Sequence, residues 1–473
     1  MIERVFLGWD EPALPAAARW IADRAGGARE LRLDRAIAVT PGARAGRRLK
    51  ELLLDVADER GLRLVPPRVV QIGALPELLY APPRPLANPA LQRRLWALSL
   101  VSLPPARLEL LFPNPPPPGD LRAWNRLAAV VEGLHREVAG AGLRFEQVAE
   151  RCGDGLLFSD ADRWGALAAA QERYAASLAR LGQGDPGLER MAAAVGHAAD
   201  GQVELWMIGV AELPGVTRRM IESVAAGGAR VYALIQAPES EADAFDRVGT
   251  VRPAAWATRP IPLRDEAIAV EGSPADQADA AVRAIHGLGG RHAADEILVA
   301  APDAELIPYL EQRLSEAGIP VHVGQGRPLE QTPPMRLLAA LADYAEGRRY
   351  AACAALARHP DLWRWLERRG GGSAATGVDE RVDWVAALDE FYADRLPATL
   401  RTPPRGSQAV ARLCATLDGP GLLGRLSGTR RLSEWMPRVL QLLAEVYGTL
   451  DLERPRHRRL YETLQALKMV AAA

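Results

Sequence analysis

The chain has 473 residues, 48% hydrophobic and 25% charged, which are the proportions of a globular protein with room for several domains. Its 58 basic and 59 acidic residues nearly cancel, so a site for a polyanion has to be local. Three widely separated cysteines exclude a disulfide framework and a CxxC metal site, and the sequence shows no signal-peptide or membrane-spanning pattern. We therefore expect a cytoplasmic protein without a membrane partner.

The first part of the chain alternates between strand and helix patterns. Short apolar runs predict strands at 3–8, 36–40 and 68–72. Amphipathic patterns predict helices at 12–24 and 44–59. This alternation is typical of an α/β domain with a parallel sheet.

A long helical pattern then interrupts the alternation, over 88–199, and it contains a proline run at 113–118 that predicts a loop. Strand patterns return at 203–208 and 230–235. We interpret the helical stretch as an insertion into the first α/β domain.

A second α/β pattern follows a proline-rich connection. Its strands are predicted at 267–271, 296–300 and 320–323, and its helices at 275–288 and 304–317. The remainder of the chain is helical in pattern, with a glycine-rich loop at 370–377.

These patterns predict an α/β protein with two parallel-sheet domains and large all-helical insertions. The first domain is discontinuous, over 1–87 and 200–262, around an insertion at 88–199. The second is predicted at 263–345, and 346–473 is a helical region that we interpret as a candidate for an incomplete insertion.

The sequence contains only two lysines, Lys50 and Lys468. A Walker A phosphate loop needs Gly-Lys-Ser/Thr so that a flexible ammonium reaches the phosphates, but leucine precedes both lysines here. A PD-(D/E)XK nuclease needs a carboxylate two residues before its lysine, where this chain has Arg48 and Ala466. Standard forms of both chemistries are therefore absent from the sequence.

Three segments resemble a known family. Segment 296–341, EILVAAPDAELIPYLEQRLSEAGIPVHVGQGRPLEQTPPMRLLAAL, has the strand, helix, Gly-Ile-Pro turn and strand that open the second domain of superfamily-one helicases. Segment 38–53, AVTPGARAGRRLKELL, is similar to motif Ia, a single-strand contact in such helicases. Segment 231–246, VYALIQAPESEADAFD, resembles the region after motif II. The chain thus resembles the AddB- or RecC-like subunit of bacterial helicase–nuclease complexes, which implies two RecA-like, P-loop-helicase-like domains.

The resemblance implies that the nucleotide site has degenerated. The phosphate-loop position reads Gly8-Trp-Asp10-Glu11, whose two acidic side chains would repel a polyphosphate. Active relatives have Asp-Glu after the strand at 203–208, to hold magnesium and serve the attacking water. The corresponding pair here is Gly209-Val210, which has no carboxylate.

Two further helicase positions depart from the pattern. Ser240 stands where motif III has a γ-phosphate-sensing Gln, and Ala301-Pro302 stand where motif IV has an Arg. Glu212 is the nearest substitute for the lost carboxylates, but we interpret it as a solvated turn residue. We expect no ATP hydrolysis and no cofactor.

A local basic segment remains for nucleic acid. Residues 29–50 carry seven basic side chains against two acidic ones. In the helicases that the chain resembles, the positions of Thr40 and Arg44 contact backbone phosphates, and Arg47 and Arg48 extend this candidate DNA site. Arginine suits the task because its planar fork pairs bidentately with phosphate. The alternative is an ordinary solvated helix face.

Aromatic platforms are expected where single strands bind. The following tryptophans are candidates, although each is also a candidate core residue: Trp9, Trp124, Trp164, Trp206 and Trp256. A second basic cluster, at 454–459, is either a solvated surface or a further DNA contact.

We therefore expect a catalytically silent helicase-like subunit that binds DNA, as single strands or duplex ends, beside a motor helicase–nuclease subunit. Many members of the family also carry a C-terminal PD-(D/E)XK nuclease, so an exonuclease whose nuclease domain lies beyond this chain is one alternative. A protein-interaction module on an α/β support is another. A dinucleotide enzyme is disfavoured because no G-x-G-x-x-G follows a strand.

Overall fold

The computed structural model divides the chain into two units, Met1–Pro262 and Leu263–Ala473. It describes residues 1–25, 27, 29–152, 160–195, 204–260, 263–324, 326, 328–370, 383–400, 406–448, 451, 453 and 455–472. The boundary predicted near residue 200, most of the glycine-rich loop and part of the basic cluster at 454–459 lie outside these residues. Within them, no helix combines the length and the apolar character needed to cross a membrane.

Unit 1 is built on a parallel sheet. The strands are β1 (Ile2–Phe6), β2 (Glu30–Arg32), β3 (Ala36–Thr40), β4 (Arg63–Val65), β5 (Arg68–Gln71), β6 (Glu204–Ile208) and β7 (Arg230–Ile235). Five of them form the central sheet in the order β1-β7-β6-β3-β5, and β2 pairs with β4 alone. Every one of these pairs is parallel. The predicted α/β class and parallel sheet are therefore confirmed.

Unit 1 contains eleven α-helices among its described residues. They are α1 (Ala13–Ala25), α2 (Ala43–Glu59), α3 (Pro76–Leu79), α4 (Pro89–Val101), α5 (Pro105–Leu111), α6 (Leu121–Ala141), α7 (Phe145–Cys152), α8 (Ala161–Arg180), α9 (Pro186–Ala193), α10 (Gly215–Ala226) and α11 (Pro253–Ala257). Along the chain, α4 to α9 separate β5 from β6.

Helices cover both faces of the sheet, and this explains its apolar strands. Along β6, Trp206 and Ile208 belong to the core beneath α1 and α2, whereas Leu205 and Met207 belong to the core beneath α3 and α10. All four side chains are buried, as expected when successive residues point to opposite faces of a covered sheet.

The helices α4 to α9 enclose a polar network within an aromatic core. His135 Nε2 lies 3.1 Å from Asp185 Oδ1, and His135 Nδ1 lies 2.9 Å from the Gln171 amide nitrogen. The Tyr174 hydroxyl donates to Asp185 Oδ2 at 2.7 Å, and its ring stacks on Trp96. Asp185 also caps α9. Burial alone would raise the pKa of Asp185, but hydrogen bonds led by the one from His135 lower it overall.

Unit 2 is helical in its described residues. Its helices are α12 (Pro274–Gly287), α13 (Ile307–Glu316), α14 (Pro333–Gly347), α15 (Tyr350–Ala357), α16 (Pro360–Gly370), α17 (Trp384–Arg395), α18 (Gln408–Asp418), α19 (Leu432–Tyr447) and α20 (Pro455–Ala472). Helices α14 to α20 share one apolar core, while α12 and α13 pack around a separate small cluster that includes Leu310 and Leu314.

The strands predicted in unit 2 are not formed. Residues 267–271, 296–300 and 320–323 contain no strand, although Ile268 and Ile297 have extended backbone angles. An apolar run becomes a strand only when a neighbouring strand supplies hydrogen bonds and another layer covers its side chains. Neither condition is met here. A second parallel sheet is consequently not observed in the part of unit 2 that the structure describes.

Candidate nucleic-acid interface and degenerate nucleotide site

The loops at the carboxyl ends of the sheet strands lie at one edge, because all the strands are parallel. Neighbouring strands β3 and β6 continue in opposite directions from this edge: β3 leads through α2 to β5, and β6 leads through α10 to β7 on the other face. Ligands of open α/β sheets bind outside the carboxyl ends of strands at such a switch point. This edge carries every predicted site residue of unit 1.

Several polar groups of the loop after β1, which the sequence resemblance assigns to the phosphate-loop position, are hydrogen-bonded within the protein. Gly8, in the left-handed region at φ +77°, donates its backbone N–H to the Ala237 carbonyl at 3.0 Å. The Gln236 amide donates to the Glu11 carbonyl at 2.8 Å, and Trp9 Nε1 donates to the Gln236 carbonyl at 3.0 Å. A phosphate would have to displace these bonds.

The start of α1 is equally unsuited to a phosphate. Pro12 and Pro15 have no backbone N–H, so two of the donors that a helix N-terminus normally offers are missing. Asp10 is exposed, and Glu11 forms an ion pair with Arg19 of α1. Two carboxylates therefore stand where a polyphosphate would need positive charge.

Gly209 and Val210, which the sequence resemblance aligns with the magnesium site of active helicases, have no carboxylate. Gly209, at φ +60°, donates its N–H to the Leu234 carbonyl at 3.0 Å, and Val210 is buried in the core beneath α10. Glu212 and Ser240 are both exposed. Among the described residues, no group of three or more His, Cys, Asp and Glu side chains is arranged to hold a metal ion.

Thr40, at the end of β3, is fully buried. Its hydroxyl donates to the Gly42 carbonyl at 3.2 Å, with the Val70 carbonyl at 3.4 Å as the other acceptor. The structure thus places Thr40 under the turn that leads into α2, where it supports that turn. Its predicted contact with phosphate remains a prediction.

The three predicted arginines lie together on the exposed face of α2. Arg44, Arg47 and Arg48 are spaced at i, i+3 and i+4, which puts them on one side of a helix. Arg48 forms an exposed ion pair with Glu51 at 2.9 Å. No ion pair or hydrogen bond among the described residues holds the guanidinium of Arg44 or Arg47. Two cations are therefore available to a ligand at the start of the helix.

The charges of α2 oppose its own dipole. Its first turn has no acidic residue, and its N-cap, Gly42, has no side chain to accept a hydrogen bond. Its last turns carry the acidic side chains Asp55, Asp58 and Glu59. Cations near a helix N-terminus and anions near its C-terminus are each unfavourable by about 0.3–1 kcal/mol. Helix stability therefore does not account for this arrangement.

The structure separates the five candidate tryptophans. Trp124 and Trp206 are buried, and Trp164 and Trp256 pack against apolar cores. Trp9 is 56% exposed at the carboxyl edge of the sheet. The exposure of Trp9 depends on long-range packing, so nothing in the local sequence distinguishes Trp9 from the other four tryptophans. Gln236, which holds the loop after β1, was not predicted as a site residue; the signal for it in the sequence is a polar residue directly after a buried strand.

Comparison with known proteins assigns no family to the chain. No protein-family model matches it, and no curated protein matches it significantly.

Proposed function

We propose that the chain is a non-catalytic, helicase-like DNA-binding subunit that acts beside a motor subunit in the processing of double-strand breaks. The observation that carries the proposal is the basic start of α2, with Arg44 and Arg47 exposed and unpaired among the described residues. The acidic Gly8–Glu11 loop, whose backbone is bound to the loop after β7, supports the non-catalytic part.

The proposal includes a second RecA-like domain over 263–345, as the sequence resemblance implies. Two features support it: α12 and α13 share a small apolar cluster, and Ile268 and Ile297, which lie in expected strands, have extended backbone angles. Circular dichroism of the full chain with and without DNA tests this part. Added strand signal on binding agrees with it, and an unchanged spectrum counts against it.

In this mechanism, α2 holds the DNA backbone while the partner subunit hydrolyses ATP and moves the strand. Guanidinium groups bind phosphates bidentately and release counterions, so the contacts supply affinity and salt dependence without reading sequence. The N-terminus of α2 has no side-chain cap, so its backbone N–H groups add partial positive charge beside the arginines.

The test is a titration of the purified chain with oligonucleotides at several salt concentrations. Arg44→Ala combined with Arg47→Ala should weaken binding evenly across sequences and flatten the salt slope by roughly 1.4, at about 0.7 per single-strand phosphate contact. Arg94→Ala combined with Arg107→Ala removes two other exposed arginines of unit 1 and should leave the slope unchanged. Equal effects of the two pairs would refute a specific role for α2.

ATP hydrolysis gives an independent test. We expect no turnover by the isolated chain, with or without DNA, since Gly209-Val210 supplies no carboxylate and the Gly8 N–H is already bonded. DNA-stimulated hydrolysis that copurifies with the chain would overturn the non-catalytic part of the proposal.

A second candidate is a protein-interaction module on an α/β support. It is favoured by the exposed apolar side chains of unit 2, such as Val270 at 92% and Leu298 at 85%, because covering apolar surface with a partner is favourable. The DNA titration separates the two candidates. A chain that binds no oligonucleotide at low salt supports the interaction module.

A further inference from the structure

The most exposed large aromatic side chain at the carboxyl edge of the sheet is Trp9. No other tryptophan is exposed in the part of the chain that the structure describes. Its Nε1–H donates to the Gln236 carbonyl at 3.0 Å, so one edge of the indole is attached to the loop after β7. The ring is thus held in position while more than half of its surface faces solvent.

A ring held this way is suited to stacking. Base–aromatic stacking needs only an accessible face, and every base provides the matching surface. A side chain that is already fixed loses less conformational entropy when a ligand binds. The hydrogen bond uses the polar N–H of the indole and leaves its apolar faces for the contact.

The sheet order sets the spacing of the strands that lead to Trp9 and to the basic start of α2. Trp9 follows β1 and Arg44 follows β3, with β7 and β6 between those strands. Three strand spacings separate the ends of β1 and β3 by roughly 14 Å. This is a distance that a short stretch of single strand bridges.

The charge near Trp9 differs from the charge at the start of α2. Beside Trp9, Asp10 is exposed and Glu11 is neutralised by Arg19, so phosphates are not attracted there. At α2, Arg44 and Arg47 attract phosphates. An approaching strand therefore places a base, rather than its backbone, against the indole.

We propose that Trp9 is the base-stacking platform of a single-stranded DNA site whose phosphates bind to Arg44 and Arg47. The inference rests on the proposed function and names its substrate: unpaired DNA, because the bases of a duplex are already stacked on one another. Trp9 supplies affinity for bases, and the arginines supply affinity for the backbone.

The test compares oligothymidylate with an abasic deoxyribose-phosphate oligomer of equal length and charge. The wild-type chain should bind oligothymidylate roughly tenfold more tightly, as one stacked base implies. Trp9→Ala should abolish this preference without changing affinity for the abasic oligomer, and Trp9→Phe should retain most of it. Tyr309→Ala, which removes an exposed aromatic of α13, should leave the preference intact.

The outcomes separate this inference from the proposed function. Arg44→Ala with Arg47→Ala should weaken binding of both oligomers by a similar factor. Equal binding of the two oligomers by the wild type, or a preference that survives in Trp9→Ala, would overturn the role of Trp9 and leave the DNA-binding proposal standing. Failure of the wild type to bind either oligomer at low salt would overturn both.

Discussion

Reversing the charge of Arg44 should make the protein more stable and a weaker DNA binder at the same time. Arg44 is the second residue of α2, an exposed position in a first turn that has no acidic side chain. Arg44→Glu replaces an unfavourable interaction with the helix dipole by a favourable one. The new carboxylate also lies four residues before Arg48, in the better orientation for a helical ion pair.

The size of the effect follows from these two terms. Changing the sign of one charge in the first turn is worth about 1 kcal/mol, and an exposed i,i+4 pair adds about 0.3–0.5 kcal/mol. We expect a gain of about 1–1.5 kcal/mol in the free energy of unfolding of unit 1, equivalent to a rise of roughly 2–6 °C in its Tm. Added salt should reduce the gain by screening.

Thermal and urea unfolding at 50 and 500 mM salt measure the stability change, and oligonucleotide titration measures binding. Arg94→Glu, an exposed reversal in the middle of α4, controls for the change in net charge and should be neutral in both assays. If Arg44→Glu lowered stability, the assignment of an unfavourable dipole interaction to Arg44 would be wrong. Increased stability with unchanged DNA affinity would mean that α2 is not the binding surface.

Other predictions address the packing of the two units. Asp185→Ala should lower the free energy of unfolding of unit 1 by about 3 kcal/mol in urea, because it leaves buried hydrogen-bond partners unbonded. The pKa of Asp185 is lowered in the folded state, so its contribution to stability is present above about pH 4. The difference in stability between wild type and Asp185→Ala should therefore shrink as the pH falls below that value. Gly249→Ala should lower the free energy of unfolding by about 2–4 kcal/mol, because φ is +83° and the new methyl would lie 2.7 Å from the Ala233 methyl of β7. Gly61→Ala, at φ +66° in open space, should lower it by only about 1 kcal/mol. The hydrogen bond from the neighbouring Cys353 thiol lowers the pKa of Cys414 below its ordinary value, so Cys353→Ala should move the pH midpoint of Cys414 alkylation upward; a midpoint unchanged by the substitution would contradict the interaction.

Local sequence predicted the strands that are buried on both faces. The predicted ranges at 36–40 and 230–235 coincide with β3 and β7, because a covered parallel strand requires a short continuous apolar run. The short strands β2 and β4 were not predicted, since three residues are too few to show an alternation of apolar and polar side chains. The apolar run at 296–300 was predicted as a strand from its composition, but it forms none, because a strand needs a neighbouring strand for its hydrogen bonds.

The chemical groups that each position can offer follow from the sequence alone. A valine at position 210 has no oxygen to ligate magnesium, and no fold restores a missing lysine to the loop after β1. Residue identity limits which reactions a site performs, so the absence of a carboxylate at positions 209 and 210 is a fact of the sequence alone. The grouping of arginines at 44, 47 and 48 on one helix face also follows from helical periodicity alone.

Exposure and hydrogen-bond partners were decided only by tertiary structure. Residues distant in the chain determine that Gly8 bonds to Ala237, that Thr40 lies beneath a turn and that Trp9 remains in solvent. A tryptophan in sequence is equally compatible with a core or a surface, because its environment depends on which strands become neighbours. The order of the parallel strands places Trp9 and the basic start of α2 at one edge, and local sequence does not encode that order.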